Sequence, residues 1–412
     1  MWRTILTTIV VALGSLLGAY FPLSSQAQSD QSLPFPLIFT TSLDGDLFIY
    51  DSLVLADGAS QPTPFYTYTD EDTAARAVSW SPSGQYLAVL LEGALPDALQ
   101  ICVLDRAGQL RTCFEETLSR YAYRAFIGNY SVSWSADEQR AYFVVGEELT
   151  VKLIEADVQT GETLRTLFQP LPFHESPPLI HWTPAVDYVA VYYGDQTPLY
   201  RYSSDYEDGV SLRPGVVVNL QTQEQIELQI HAPDQGFFYF CEGFSPQGSY
   251  LAARLYTHEN FPDYNAAYPP LLGLALLDKT GEVVQTLDQA QLAPYDIDWM
   301  HCPAWHDEET LYFLGGAISE EKSPLENRGI FRYSLSDDTL TEIKRFGPET
   351  SPGFPQDPLV LSPDGMAIAF RFVDYRLMSE IAVLLPTGDI TRLNQPYERG
   401  LHPLWVPPDV RR

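Results

Sequence analysis

Histidine and acidic side chains are the residues of this sequence whose chemistry could support catalysis or metal binding. The seven histidines are scattered along the chain, and three stand next to a Trp or a Cys, namely His181, His301 and His306. No pair has the spacing of a His-Glu-x-x-His helix, and no histidine pairs with cysteines at zinc-ligand spacing. We therefore expect structural, hydrogen-bonded histidines, with a metal or catalytic role as the alternative.

Acidic residues form three short clusters, Asp70–Asp72, Asp205–Asp208 and Asp307–Glu309. None has the alternating spacing of a calcium-binding loop. Solvated loops are the expected reading, with an irregular calcium site as the alternative and no other cofactor or metal. The sequence also lacks the Gly-x-Ser-x-Gly elbow of a hydrolase and a Gly-rich phosphate loop. These absences predict a non-enzymatic protein, and a lyase or glycosidase with paired carboxylates is the alternative.

The N-terminus has the features of an export signal. Arg3 precedes an apolar run from Ile5 to about Leu17, and small residues then lead to Ser25–Ala27. The run is too short to cross a bilayer, so residues 1–27 are predicted to be a cleaved signal peptide and residues 28–412 the mature chain. The sequence therefore predicts an extracytoplasmic protein, periplasmic or secreted, with no membrane insertion.

The net charge restricts the partners that the protein can have. The chain has a formal net charge of −30, which would repel phosphate backbones and anionic membranes. Nucleic acid is therefore excluded as a partner. Calcium or a basic partner remains open, beside the simpler reading that the charge keeps the protein soluble.

One pattern recurs through the whole mature chain. An aromatic or apolar anchor is followed by a small polar residue, often by Pro, and then by an apolar strand, as in VSWSPSGQYLAVLL. The anchors are Trp80, Trp134, Trp182, Phe244, Trp305 and Leu361. Their spacing is somewhat longer than the period of about 40–50 residues typical of propeller blades, and loop insertions account for the excess.

Each repeat is predicted to contain four strands, and no segment has a convincing helical period, so the fold class is all-β. In one unit the strands are predicted at Val78–Trp80, Tyr86–Leu91, Gln100–Leu104 and Leu110–Phe114. Polar turns containing Gly join the last two strands, and Ser-Pro-x-Gly segments join the first two.

The two ends of the chain are predicted to form one blade together. The N-terminal part supplies strands at Leu37–Thr41, Asp46–Asp51 and Pro64–Tyr68, whereas His402–Pro408 is an isolated first strand. Placing this C-terminal strand in the N-terminal blade closes the ring and leaves no open sheet edge. The prediction is a single propeller of seven four-stranded blades, with six blades as the alternative, and a monomer is expected.

The segments Ser81–Gly84, Ser245–Gly248 and Ser362–Gly365 resemble the WD-repeat-like propeller repeat of the TolB-like family of exported bacterial proteins. The units anchored at Trp134 and Trp305 depart from this motif. TolB-like proteins often have six blades and an extra N-terminal domain, for which this chain has no room. The resemblance therefore implies the fold and an extracytoplasmic location, and it carries over no specific partner.

Four cysteines in an exported chain predict two disulfides. Counting outward from the turn at Ala107-Gly108 places Leu104 opposite Arg111 and Cys102 opposite Cys113, within disulfide reach. Cys241 and Cys302 each precede the anchor of a neighbouring unit by three residues, so a bond between two blades is predicted. Free thiols and a zinc site are the alternatives.

Loop insertions give the strongest indication of a binding surface. Three consecutive units lengthen the connection between their second and third strands, at Gly194–Pro214, Thr257–Pro270 and Gly315–Arg328. These connections emerge on one face of a propeller, and tyrosine there is suited to recognition. The alternative is that the loops only cover the blade ends. The predicted binding residues are Tyr202, Tyr206, Tyr256, His258, Asp263 and Tyr264.

These loops predict a protein-interaction scaffold. A carbohydrate-binding propeller, in which tyrosines stack on sugar rings, is the second hypothesis. The lyase or glycosidase acting at the channel mouth is the third.

Overall fold

A computed structural model gives the fold of the chain. It describes residues 33–42, 52–56, 63–67, 74–95, 98–119, 132–147, 150–169, 179–192, 216–227, 231–232, 236–257, 271–301, 303–317, 328–346, 353–374, 379–393 and 399–408. The predicted signal peptide lies outside these ranges and stays a prediction. In the described part, no helix is long and apolar enough to cross a membrane.

We divide the strands into seven groups that follow the sequence repeats. Group 1 contains β1 (Leu37–Ser42), β2 (Ser52–Ala56), β3 (Thr63–Thr67) and the last strand, β30 (Arg399–Trp405). Group 2 contains β4 (Ala74–Trp80), β5 (Tyr86–Leu95), β6 (Ala98–Asp105) and β7 (Leu110–Ser119). Group 3 contains β8 (Ser133–Trp134), β9 (Arg140–Glu147), β10 (Thr150–Asp157) and β11 (Thr163–Phe168). Group 4 contains β12 (Leu179–Trp182), β13 (Tyr188–Tyr192), β14 (Val216–Asn219) and β15 (Gln225–Glu227).

The remaining groups follow the same order. Group 5 contains β16 (His231–Ala232), β17 (Gly236–Phe244), β18 (Leu251–Thr257), β19 (Leu271–Leu277) and β20 (Val283–Asp288). Helix α1 (Gln289–Leu292) and a 3-10 turn (Ala293–Tyr295) lead to group 6, with β21 (Trp299–Met300), β22 (Ala304–Asp307), β23 (Thr310–Gly316), β24 (Arg328–Ser334) and β25 (Thr339–Phe346). Group 7 contains β26 (Gly353–Leu361), β27 (Ile368–Asp374), β28 (Ser379–Leu384) and β29 (Ile390–Arg392).

Pairing within each group is antiparallel and mostly joins strands that follow one another in the chain, although β21 and β22 of group 6 both pair with β23. Groups 2 and 3 form one eight-stranded sheet because a parallel bridge joins Leu118 of β7 to Gly146 of β9. In group 1 the order is β3-β2-β1-β30, with Leu37 opposite Trp405. The C-terminal strand therefore completes the sheet that the N-terminal strands begin.

The turn between the first two strands is built in the same way in five groups. A Ser or Thr hydroxyl accepts a hydrogen bond from the backbone N–H five residues later, at 2.9–3.1 Å. The residue three positions after this hydroxyl has a left-handed backbone, which favours glycine. These residues are Gly84, Glu138, Val186, Gly248 and Gly365. The Ser-Pro-x-Gly motif is thus a turn, and Glu138 and Val186 adopt its geometry without glycine.

Indole groups of the anchors connect neighbouring groups. Trp134 Nε1 donates to Ser79 Oγ at 3.1 Å, and Trp182 Nε1 donates to Ser133 Oγ at 2.6 Å. Each acceptor directly precedes the anchor position of the preceding group. In group 4 the residue before the anchor is His181. The anchor of the following group is Phe244, which has no side-chain N–H to donate.

The hydrophobic core lies between the groups, because both faces of each inner strand are covered by neighbours. Leu87, Ala88 and Val89 are all fully buried, whereas the outer strand β25 buries only Leu340 and Phe346. Six hydrophobic clusters join neighbouring groups, because each contains side chains from at least two of them. One such pair from each contact, in group order, is Ile38 with Leu87, Phe114 with Phe143, Ile154 with Trp182, Ala190 with Leu251, Leu274 with Phe313, Leu314 with Phe370, and Ala369 with Phe39.

Two strand predictions need correction. The strand paired with β1 is Ser52–Ala56, whereas the predicted Asp46–Asp51 lies outside the described residues. In the hairpin of β6 and β7, Leu104 lies opposite Leu110 rather than Arg111, because a bulge shifts the register after Val103. The all-β class is confirmed, and the seven-blade count and ring closure stay predictions.

Candidate functional site

The three predicted loop insertions connect second and third strands, as expected from the sequence. They lie between β13 and β14, between β18 and β19, and between β23 and β24. In the sixth group the strands extend further than predicted, since Gly316 pairs with Arg328. The corresponding connections of groups 2 and 3 span only residues 96–97 and 148–149. Each group has two ends. The end at which the connection between the second and third strands lies is called the loop end, and the opposite end is called the turn end.

Contacts between turns show that the turn ends of neighbouring groups lie together. Glu138 accepts hydrogen bonds from the backbone N–H of Ser83 at 2.5 Å and from its hydroxyl at 2.8 Å, which joins the turns of groups 3 and 2. A Cβ on Gly248 would lie 2.9 Å from Thr183 Cγ2, so the turns of groups 4 and 5 also touch. Ser245 of group 5 likewise donates to Glu308 of group 6 at the turn end. The loop ends of groups 4, 5 and 6 consequently share the opposite side, and we call that side the loop face.

Glu308 connects groups 5 and 6 at the turn end. Its carboxylate accepts hydrogen bonds from Ser245 Oγ at 2.7 Å and from the backbone N–H groups of Gln247 and Ser249 at 2.8 and 3.2 Å. Burial raises the pKa of Glu308, but hydrogen bonds from Ser249, Ser245 and Gln247 outweigh burial, and the pKa is lowered. This member of the acidic cluster Asp307–Glu309 is therefore a structural group. Among the residues that the structure describes, no three His, Cys, Asp or Glu side chains are placed to hold a metal.

Five of the six predicted binding residues lie outside the described ranges, namely Tyr202, Tyr206, His258, Asp263 and Tyr264. Tyr256 lies in β18 and is only 7% exposed. Its ring packs in the cluster between groups 5 and 6. The binding surface formed by these residues stays a prediction.

The part of the loop face that the structure describes is the set of strand ends below the long connections, and it is formed by aromatic and basic side chains. Trp299, Gly316 and Arg328 lie side by side across β21, β23 and β24 at the loop end of group 6. The Arg328 guanidinium lies 4.8 Å from the centre of the Trp299 ring, a cation–π contact. His301 meets the same indole edge-on, with ring centres 5.2 Å apart.

Arg254 connects this base to group 5. Its Nη1 donates to the Met300 carbonyl at 2.8 Å, and its guanidinium lies 5.6 Å from the centre of the Tyr256 ring. The cluster of Arg254, Tyr256, Trp299, His301 and Arg328 thus begins where two of the long connections leave their strands. Cation–π and edge-to-face contacts join its planar groups at the base of the loop face.

Sequence reasoning missed the two arginines in this cluster. Arg254 occupies the position in its repeat that Leu90 and Leu314 occupy in theirs, and this break in an apolar strand was the available signal. Arg328 was assigned to a loop, and strand pairing to Gly316 places it in β24 instead.

The three histidines next to Trp or Cys do not gather at one place. His301 lies near the loop end of group 6, whereas His306 lies at the turn end, 3.7 Å from Asp307. His181 lies on β12 and is almost fully buried, and burial lowers its pKa to about 4. His181 is therefore neutral at physiological pH.

The first predicted disulfide is confirmed. Cys102 of β6 and Cys113 of β7 lie directly opposite each other and are bonded. The predicted bond between Cys241 and Cys302 lies outside the described residues, since the side chain of Cys241 and the whole of Cys302 are not described.

No protein-family model and no curated protein matches the chain. Its similarity to known proteins lies in the fold. An oligogalacturonate lyase from Vibrio parahaemolyticus is similar at a TM-score of 0.52 and 12% identity, over 87% of this chain and 85% of that one. The β-propeller domain of the Trilobed protease from Pyrococcus furiosus is similar at a TM-score of 0.50 and 11% identity, over 87% and 94%.

TolB from Acinetobacter baumannii is also similar, at a TM-score of 0.44 and 11% identity, over 91% of this chain and 67% of that one. This score is too low to support an argument, so the exported TolB-like type stays a prediction. At these identities the likenesses define the fold alone. The chain is an all-β propeller, a fold shared by enzymes and non-enzymes.

Proposed function

We propose that the chain is a closed ring of seven blades, one for each strand group. Core clusters link each group to the next, and one of them links group 7 back to group 1. Trp405 of β30 supports this closure, because its Nε1 donates to the Val360 carbonyl of group 7 at 2.8 Å. A closed ring fixes the relative positions of its loops, which a recognition surface requires.

We further propose that the protein is a non-enzymatic binding module whose partner docks on the loop face. The observation that carries this proposal is the position of the three long connections, which leave the same end of three consecutive groups. Long loops on a rigid scaffold are typical carriers of recognition. The aromatic and basic cluster beneath them holds the ends of the strands from which two of these loops emerge.

The partner that we propose is a protein. The loops contain tyrosine together with Asp and Glu, and the chain has a net charge of −30, which favours a basic or calcium-bridged surface. We place the protein outside the cytoplasm, where the Cys102–Cys113 disulfide would persist. A glycan is the second candidate ligand, because tyrosine rings in the same loops could stack on sugars.

Affinity capture with residues 28–412 tests the proposal, using an envelope and secreted extract of the source organism with calcium or with a chelator. The loop-face variant replaces Tyr206 and Tyr264 by Ala, and Tyr256 is left intact because it is buried. The matched control replaces the exposed Gln159 and Gln221 by Ala at the turn end. We expect one protein partner, recovered by the wild type and the control and lost by the loop-face variant.

Other outcomes would redirect the assignment. Equal capture by both variants would contradict the loop face as the docking site. Retention on insoluble polysaccharide without a protein partner would favour the carbohydrate-binding hypothesis. Release of soluble product from a polysaccharide panel would contradict the non-enzymatic assignment.

A further inference from the structure

The disulfide of group 2 lies at the contact between group 2 and group 1. Cys102 is fully buried, and Cys113 packs beside it. The surrounding cluster contains Ile38 of β1, Leu404 of β30 and Val406, which follows β30. The sulfur atoms are therefore packed among side chains from both ends of the chain. We call the contact between groups 1 and 2 the seam.

The hairpin closed by this disulfide also makes the polar contacts of the seam. Arg106 lies in its turn, and Nη1 donates to the Gly84 carbonyl while Nη2 donates to the Pro407 carbonyl, both at 2.9 Å. These two bonds tie the segment after β30 to group 2. Val406 continues the attachment, since its N–H donates to the Pro36 carbonyl at 2.8 Å.

Gly108, in the same turn, touches the outer strand of group 1. Its φ is +78°, and a Cβ there would overlap with the carbonyl oxygen of Phe65 in β3. The turn between Cys102 and Cys113 therefore contacts β3 on one side and the C-terminal segment on the other. The two cysteines are 11 residues apart in sequence, and their disulfide closes the loop that holds this turn in place.

We propose that the oxidation state of Cys102 and Cys113 controls how firmly the seam is closed. With the disulfide formed, the hairpin holds Arg106 against Pro407 and locks β30 into group 1. A dithiol reductant cleaves the S–S bond by thiol–disulfide exchange. The two sulfurs gain two electrons and two protons, and the reductant becomes a disulfide.

Reduction acts on the seam for two physical reasons. Two thiols need more room than a disulfide, and Cys102 lies in a packed cluster where extra volume forces neighbours apart. The open hairpin also regains conformational freedom in its turn. The side chains of the disulfide pack toward group 1. Group 3 instead meets Cys113 through its backbone, where a Cβ on Gly161 would lie 2.4 Å from the Cys113 carbonyl oxygen. The inference rests on the seam contacts and is independent of what the loop face binds.

Hydrogen exchange followed by mass spectrometry tests this device in the variant C241A/C302A, in which Cys102–Cys113 is the one remaining cysteine pair. Exchange is compared between the oxidised protein and the protein held in excess dithiothreitol. We expect exchange in β1 and β30 to become at least tenfold faster on reduction, with β18, β19, β23 and β24 unchanged. Acceleration confined to β6 and β7, or spread equally over all groups, would overturn the proposal.

A second comparison keeps the disulfide and removes the paired hydrogen bonds of Arg106 to the Gly84 and Pro407 carbonyls. Arg106→Lys cannot make both carbonyl contacts, because Lys lacks the forked guanidinium. We expect this variant to accelerate exchange in β30 when oxidised and to add little once Cys102 and Cys113 are reduced. Equal acceleration in both oxidation states would mean that Arg106 and the disulfide act independently, and it would also overturn the proposal.

Discussion

Lowering the pH from 7 to 5 is expected to destabilise the protein through His181. The pKa of this histidine is about 4 in the folded protein, because burial disfavours its charged form, against an ordinary value of 6.5. The unfolded chain therefore binds a proton below pH 6.5 that the folded chain refuses until about pH 4. Stability falls as the pH drops through this window and rises as the pH returns to 7. Each pKa unit corresponds to about 1.4 kcal/mol, so the loss from pH 7 to pH 5 is about 2 kcal/mol.

The matched variant is His181→Gln, which keeps a neutral polar side chain at this position and does not titrate. Urea unfolding at pH 7 and pH 5, followed by tryptophan fluorescence, gives the free energy of unfolding for both proteins. We expect the wild type to lose about 2 kcal/mol more than the variant between the two pH values. Other titrating groups contribute equally to both proteins and cancel. A parallel loss in the two proteins would refute the assignment of His181 as a buried neutral group.

Three further predictions concern contacts between groups, each measured by urea unfolding. Gly161→Ala should cost about 2 kcal/mol more than Gly388→Ala, because both residues have positive φ but only Gly161 lies against a neighbouring carbonyl oxygen; equal costs would contradict this contact. Ser133→Ala should cost about 1–3 kcal/mol by removing the acceptor of the Trp182 indole. The double variant with Trp182→Phe should cost less than the sum of the single variants, and strict additivity would argue against the hydrogen bond. Glu308→Gln should cost about 1 kcal/mol at pH 7. Because the pKa of Glu308 is lowered from its ordinary value of 4.5, this difference should decline as the pH falls below 4.5 and vanish below the lowered pKa, and a constant difference would contradict the role of the charge.

Local patterns predicted much of this fold. Strand starts at Tyr86 and Leu110 were correct because turn residues mark them in the sequence. The Cys102–Cys113 bond followed from counting outward from one turn, although the bulge after Val103 shifted the pairs nearest to that turn. The count still placed Val103 opposite Thr112, because the extra residue of the bulge, Arg111, offsets the one-residue error in the pairs at the turn.

Contacts between repeats were not predictable in the same way. Arg254 and Met300 are far apart in sequence, and only the packing of group 5 against group 6 brings them together. The Arg106–Pro407 bond likewise joins a turn to the segment after β30, and their separation of 301 residues leaves no local signal. A repeat defines each group well and carries little information about which side chains meet across two groups.

The pairing of β1 with β30 sets a limit on the order of folding. During synthesis, groups 2 to 7 can each assemble from neighbouring strands as they are made, because every pairing within them is short in sequence. Group 1 cannot, since Leu37 must wait for Trp405. Until then the inner edge of β1 has no strand to pair with, and such an edge can join a strand of another chain. Whether the edge of β1 pairs within its own chain or with another copy therefore depends on β30, which is synthesised after groups 2 to 7.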